Sequence, residues 1–295
     1  MPLTPVPKLM EAAVAGGYAV GYFESWNLES LQGTIDAAEA TRSPIIIGFN
    51  GDFLCRPERL DAVRLRWYGA LARAAAESAT VPCAVIFNEC RRDDCVMEAI
   101  TAGFNLVMPA DPDAPVQEYS RRVARIVEAA HRQGVAVEAE LGELPCGASG
   151  AVEGGALTDP EAATRFAAET GADLLAVSVG NVHVRTRGQG GLDLDRLAEL
   201  RACTSVPRVL HGGTGIAEEA LRSAIALGVR KVNYGTYLKQ RYLAAVRRAL
   251  GAEVSDPHQL LGIGGPQDVM TAGRLAVRDA VLERIGWLGC VGRAS

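Results

Sequence analysis

Eight short runs rich in Val, Ile, Leu and Ala recur along the chain, each followed by a longer stretch with helical spacing. They are 18–23 (YAVGYF), 44–49 (PIIIGF), 83–88 (CAVIFN), 105–109 (NLVMP), 135–141 (VAVEAEL), 173–180 (DLLAVSVG), 206–211 (VPRVLH) and 229–234 (VRKVNY). Runs that stay apolar, rather than alternating, are buried on both faces, as in a parallel sheet covered by helices. The intervening segments carry helix punctuation. Leu28, Leu31 and Ile35 recur at three or four residues before Pro44 ends the segment. Asp159 precedes Pro160 as a cap precedes first-turn proline, and Gly228 closes 217–227 as a C-terminal glycine. Strand then helix, eight times, predicts an α/β chain folded as a (β/α)8 TIM barrel, whose usual length of about 250 residues fits 295. No linker or low-complexity tract interrupts the rhythm. Residues 1–295 therefore read as a single domain, with a helical C-terminal extension around 270–284 packed outside the barrel or in a subunit contact.

With 30 Lys+Arg against 35 Asp+Glu, the net charge of −5 supplies no cationic field for nucleic acid or an anionic membrane. No apolar run reaches the roughly 18 to 20 residues that cross a bilayer, and the start MPLTPVPKLMEAA lacks a signal-peptide layout. A soluble, cytoplasmic protein is expected. The seven cysteines are scattered and odd in number, which suits reduced thiols. Cys90 and Cys95 are close, but without a second Cys pair or a nearby His they read as packing or exposed thiols rather than a zinc motif.

In such a barrel the chemistry sits where strands end. His183 and His211 leave the sixth and seventh runs and Glu89 leaves the third, a set with the donors of a divalent-metal site. His131 and His258 fall in a helix end and a loop and carry no such reading. Gly212, Gly213 and Thr214 lie in His211-Gly-Gly-Thr-Gly215 between a strand and a helix, where backbone N–H groups and a helix N-terminus favour an anion. Asn233 and Thr236 after the eighth run extend this phosphate cradle. Glu138 and Glu140, two apart on a strand, share one face, which implies a second cation or proton handling, or else acids at a surface strand end.

These features, with Gly16-Gly17, Asn27-Leu28-Glu29, Val137-Glu138-Ala139-Glu140-Leu141-Gly142, Leu157-Thr158-Asp159-Pro160 and Thr170-Gly171-Ala172-Asp173, resemble the class II, metal-dependent fructose-bisphosphate and tagatose-bisphosphate aldolases. The resemblance runs from about residue 8 to the end. It implies a TIM-barrel lyase of carbohydrate metabolism, dimeric or tetrameric, using zinc or a similar ion to stabilise the enediolate of dihydroxyacetone phosphate. His183 and His211 match two of the family's zinc ligands. The third, in an Asp-His pair, reads Asn88-Glu89 here, so Glu89 becomes the third ligand candidate and the base at Asn88 is lost. Other positions depart as well: Glu24 stands for Asn, Asn50 for Ser, Ala110 for Asp, Val184 for Gly and Gly235 for an acid, while Arg187 stands where a Lys approaches phosphate. The segment Glu143 to Gly155 resembles a lid carrying a catalytic acid.

The expected assignment is therefore catalytic Glu24, Asn88 and Glu140; metal ligands Glu89, His183 and His211; and substrate contacts Asn50, Arg187, Gly212, Gly213, Thr214, Asn233 and Thr236. The expected reaction is carbon–carbon cleavage of a phosphorylated or anionic ketose other than fructose bisphosphate, with Glu24 as the replacement proton carrier. Alternatives are a lapsed scaffold with a binding or regulatory role, and a metal-dependent isomerase or biosynthetic aldol-addition enzyme.

Overall fold

The computed structural model describes residues 3–142, 155–181, 191–251 and 256–294. All eight runs form strands: β1 (Val20–Glu24), β2 (Ile45–Asn50), β3 (Cys83–Cys90), β4 (Leu106–Pro109), β5 (Ala136–Leu141), β6 (Leu174–Val177), β7 (Arg208–Leu210) and β8 (Val229–Tyr234). They pair in parallel in chain order and close, with Tyr22 of β1 opposite Asn233 of β8. Helix α1 (Val6–Gly16) precedes β1; the helices between strands are α2 (Leu28–Thr41), α3 (Gly51–Leu54), α4 (Leu65–Ser78), α5 (Asp93–Ala102), α6 (Val116–His131), α7 (Pro160–Thr170), α8 (Leu194–Cys203) and α9 (Glu218–Ala226); and α10 (Thr236–Leu250), α11 (Pro257–Leu260) and α12 (Val269–Leu288) follow β8. None is long and apolar enough to cross a membrane.

Local chemistry sets the helix starts. Asn27 caps α2 reciprocally with Ser30, each side chain holding the other's backbone N–H at 3.0–3.1 Å. Asp159 accepts from Ala162 N at 2.8 Å with Pro160 in the first turn of α7.

Strand ends differ from the sequence reading where side chains take over the ladder. β6 stops at Val177 because Asn181 Oδ1 accepts from Val179 N at 2.9 Å, while Asn181 Nδ2 donates to the His211 carbonyl at 3.1 Å. β3 runs two residues further than expected, through a register shift between Phe87 and Cys90 in which Glu89 takes the left-handed φ of 51°. A bulge of this kind turns one side chain away from the strand's alternation, and here the side chain is Glu89.

The C-terminal helix α12 packs on α2, α10 and β1, outside the barrel. Arg274 grips Asp36 of α2 through two bonds of 2.7 and 2.8 Å. Asp268 caps α12 and accepts from the backbone N–H groups of Gly262, Gly264, Met270 and Thr271. Those N–H groups, Gly264's foremost, hold its carboxyl below the usual aspartate value. The carboxylate therefore stabilises the fold above the unfolded pKa of about 3.9, and that contribution is lost as pH falls through the lower folded value. Asp268→Ala is expected to cost about 1–2 kcal/mol at neutral pH. Thermal melts across an acid series check this, and the gap between variant and parent should narrow toward low pH.

Candidate active site

The imidazole of His211, 1% exposed at the end of β7, organises the site. Its Nε2 lies 2.9 Å from Glu138 Oε1, and its Nδ1 lies 3.1 Å from Glu89 Oε1 and 3.2 Å from Glu140 Oε2. Period two on β5 aims Glu138 and Glu140 inward together, and the bulge on β3 brings Glu89 to meet them. Beneath the imidazole, Lys231 Nζ lies 2.7 Å from Glu138 Oε2 and 2.6 Å from Asn233 Oδ1; both Lys231 and Glu138 are 0% exposed. Burial works against the charged imidazolium. The bonds to Glu138 and Glu89 and the charge of Glu140 overcome it and push His211 up to about 10. Burial likewise opposes the Glu138 carboxylate, but the Lys231 ammonium and His211 hold its pKa below the usual range, so it remains ionised.

This donor set fits a divalent ion. One imidazole nitrogen and two carboxylate oxygens converge from β3, β5 and β7, and the second imidazole nitrogen already faces a buried carboxylate, the arrangement that fixes a ligating histidine's tautomer. An ion at Nδ1 would displace one proton and leave Nε2–H on Glu138.

Glu24 and Gly235, two separate departures in sequence, are one feature in space. A Cβ built on Gly235 would lie 2.2 Å from Glu24 Oε2, so the β1 carboxylate fills the room a side chain at 235 would need. Glu24 Oε1 is held by Lys239 Nζ of α10 at 2.5 Å. Asn50 faces Glu89 and its own helix: Nδ2 donates to Glu89 Oε2 at 2.9 Å, and Oδ1 caps α3 at Phe53 N. Asn88, its register partner, is buried, and its Oδ1 has no hydrogen-bond partner among the described residues.

On the anion side, Gly212 takes φ 68° and Gly213–Gly215 form a single 3-10 turn. Thr214 Oγ1 accepts from Tyr237 N at 3.3 Å, joining this turn to the N-terminus of α10, where Thr236 is the first residue. Asn233 Nδ2 and the Tyr22 hydroxyl, on paired positions of β8 and β1, are buried without a partner among the described residues. Burial, with the charges of Glu24, Glu89 and Glu138, holds the Tyr22 phenol well above its usual pKa and therefore protonated. A cavity of about 580 Å³ opens from Glu89, Glu140 and His211 toward Asp52, Arg91 and Asp111.

The structure thus brings Glu89, Glu140 and His211 together and sets Glu24 beside Gly235. His183, Arg187 and Glu143 lie outside the described residues. Sequence reasoning missed Lys231, Tyr22 and Lys239. Lys231 had a legible signal, since it stands two residues before Asn233 inside an apolar run and so shares its inward face. Lys239 had none, because a lysine on an amphipathic helix ordinarily faces water.

The family model for class-II fructose-bisphosphate aldolase matches residues 4–293. The fructose-bisphosphate aldolase of Geobacillus stearothermophilus is 33% identical over 298 residues, covering all of both chains. The Escherichia coli K12 protein YdjI is 33% identical over 279 residues, 94% of each chain. The crystal structure of the YdjI aldolase from that organism superimposes with a TM-score of 0.82 at 30% identity, covering 99% of this chain and 100% of that one.

Two substitutions probe the geometry. Lys231→Met removes one partner of a fully buried ion pair and should cost about 3–5 kcal/mol in urea unfolding, part of which Glu138→Gln in the same chain recovers. Gly235→Ala should lower the melting temperature through its clash with Glu24. In a Glu24→Ala background the same change should cost less, and a double-mutant cycle measures that coupling.

Proposed function

Since the chain belongs to the class-II fructose-bisphosphate aldolase family, we propose that it is a carbon–carbon lyase for a phosphorylated or similarly anionic ketose other than fructose bisphosphate. The observation that carries this reading is the convergence of Glu89 and Glu140 on His211 Nδ1, since it keeps a ligand set alive where the third family histidine is replaced. Glu89, Glu140 and His211, with His183, would hold a divalent ion, zinc by family resemblance. Such an ion supplies Lewis-acid polarisation of a substrate carbonyl.

The chain's own residues do the rest. Lys231 and Glu138 keep the His211 ring oriented with Nε2 as donor. The Gly213–Gly215 turn, Thr214, Thr236 and Asn233 Nδ2 offer N–H and O–H donors to a phosphate at the start of α10. Asn88 positions by hydrogen bonding, because a neutral amide has no useful basicity. Proton transfer falls to Glu24, whose carboxylate stands on the β1–β8 side of the barrel rather than on β3. Moving the proton carrier across the barrel changes which substrate atom it serves, and this argues against fructose bisphosphate. The isomerase and aldol-addition alternatives share these groups and differ in product.

Metal-loaded protein is expected to exchange a carbon-bound proton of dihydroxyacetone phosphate for deuterium, followed by NMR in D2O. Glu24→Gln should slow this by about 100-fold or more with metal content unchanged by elemental analysis. Near-normal exchange in that variant overturns the role of Glu24. No exchange by the metal-loaded parent overturns a lyase that forms dihydroxyacetone phosphate, and rapid triose release from fructose bisphosphate overturns the substrate exclusion.

A further inference from the structure

We propose that Cys55, Cys90 and Cys95 form a second metal site, a three-thiolate cluster that takes a zinc-class divalent ion and ties the end of β3 to α3 and α5. The three sulfurs lie within 4.8 Å of one another and come from three elements. Cys90 is the last residue of β3 and is fully buried, Cys55 is the C-cap of α3, and Cys95 stands in the first turn of α5. All three are free thiols.

A Zn–S bond of about 2.3 Å with tetrahedral angles spaces sulfurs about 3.8 Å apart, so from separations of at most 4.8 Å closing the cluster requires sulfur shifts of no more than about 0.6 Å. Side-chain rotation supplies movements of that size without disturbing the barrel. Cys55 and Cys95 are half-buried on the rim of a surface cavity of about 330 Å³, also lined by Arg92, Asp94 and Glu98, so a fourth coordination position opens to water or a carboxylate. Binding a divalent ion releases three thiol protons and leaves the cluster with one net negative charge. The hydrogen bond to Cys90 and burial hold the Cys55 thiol above its usual range, burial and Cys55 do the same for Cys95, and Arg92, itself paired with Asp94, works against both rises, so an ion must displace these protons as it binds.

The placement gives the site a role. Asn50 caps α3 at the end opposite Cys55, and Glu89 directly precedes Cys90. The Asn50–Glu89 hydrogen bond is therefore flanked in both chain segments by a cluster cysteine. An ion on the three sulfurs would clamp the backbone that carries Glu89, in its left-handed conformation, against the backbone that carries Asn50.

Cobalt(II) provides the test, because thiolate ligation gives intense near-ultraviolet charge-transfer bands that the imidazole–carboxylate set around His211 does not. Reduced, metal-free protein titrated with cobalt should develop such a band, lose it on addition of zinc, show it weakened in Cys55→Ser and in Cys95→Ser, lose it in the double variant, and keep it in His211→Ala. Absence of the band in the reduced parent, or its survival in the Cys55→Ser/Cys95→Ser double variant, overturns the proposal. The parent chain supplies a second measurement that needs no variant. Zinc should suppress iodoacetamide labelling of Cys55 and Cys95 while exposed Cys203 labels as before, and equal labelling with and without zinc overturns the proposal.

Discussion

A lysine, a glutamate and a histidine buried in a row inside the barrel constrain everything at its upper face. Lys231, Glu138 and His211 are 0–1% exposed, and no ion of that kind survives in an apolar interior unless paired and hydrogen-bonded. Lys231 holds one oxygen of Glu138 and His211 meets the other, so the imidazole has one orientation, with Nδ1 aimed at Glu89 and Glu140. The pair contributes little net stability by the usual balance of desolvation against attraction. Its consequence is directional, since it fixes which nitrogen faces the substrate side.

The departures from the family pattern are linked through contacts. The carboxylate of Glu24 occupies the space beside Gly235 and is anchored by Lys239, so β1 supplies a carboxylate at the wall where β8 hands over to α10. Glu89 depends in the same way on Asn50, which donates to its second oxygen, and on the bulge that turns it inward. Each of these two carboxylates has a partner from another barrel unit, Lys239 for Glu24 and Asn50 for Glu89.

Strand positions were legible because burial on both faces leaves a continuous apolar run, and helix starts were legible where Asn27 and Asp159 supply caps within three residues. Glu138, Glu140 and His211 were legible because strand period and strand ends are local quantities. The pairing of Glu24 with Gly235, the approach of Lys239 and the meeting of Cys55 with Cys90 and Cys95 were not, since each joins residues from different barrel units. The Cys90–Cys95 spacing alone reads as packing. The third sulfur, 35 positions before Cys90, gives it a different meaning.

By itself the sequence determined the barrel and set Glu24, Glu89, Glu140 and His211 at strand ends, because hydrophobic periodicity and capping act over a few residues. The tertiary structure decided how those residues are charged and aimed. Barrel closure sets β8 against β1 and gathers β3, β5 and β7 around one imidazole, and the state of a buried ionisable group depends on the neighbours that closure supplies.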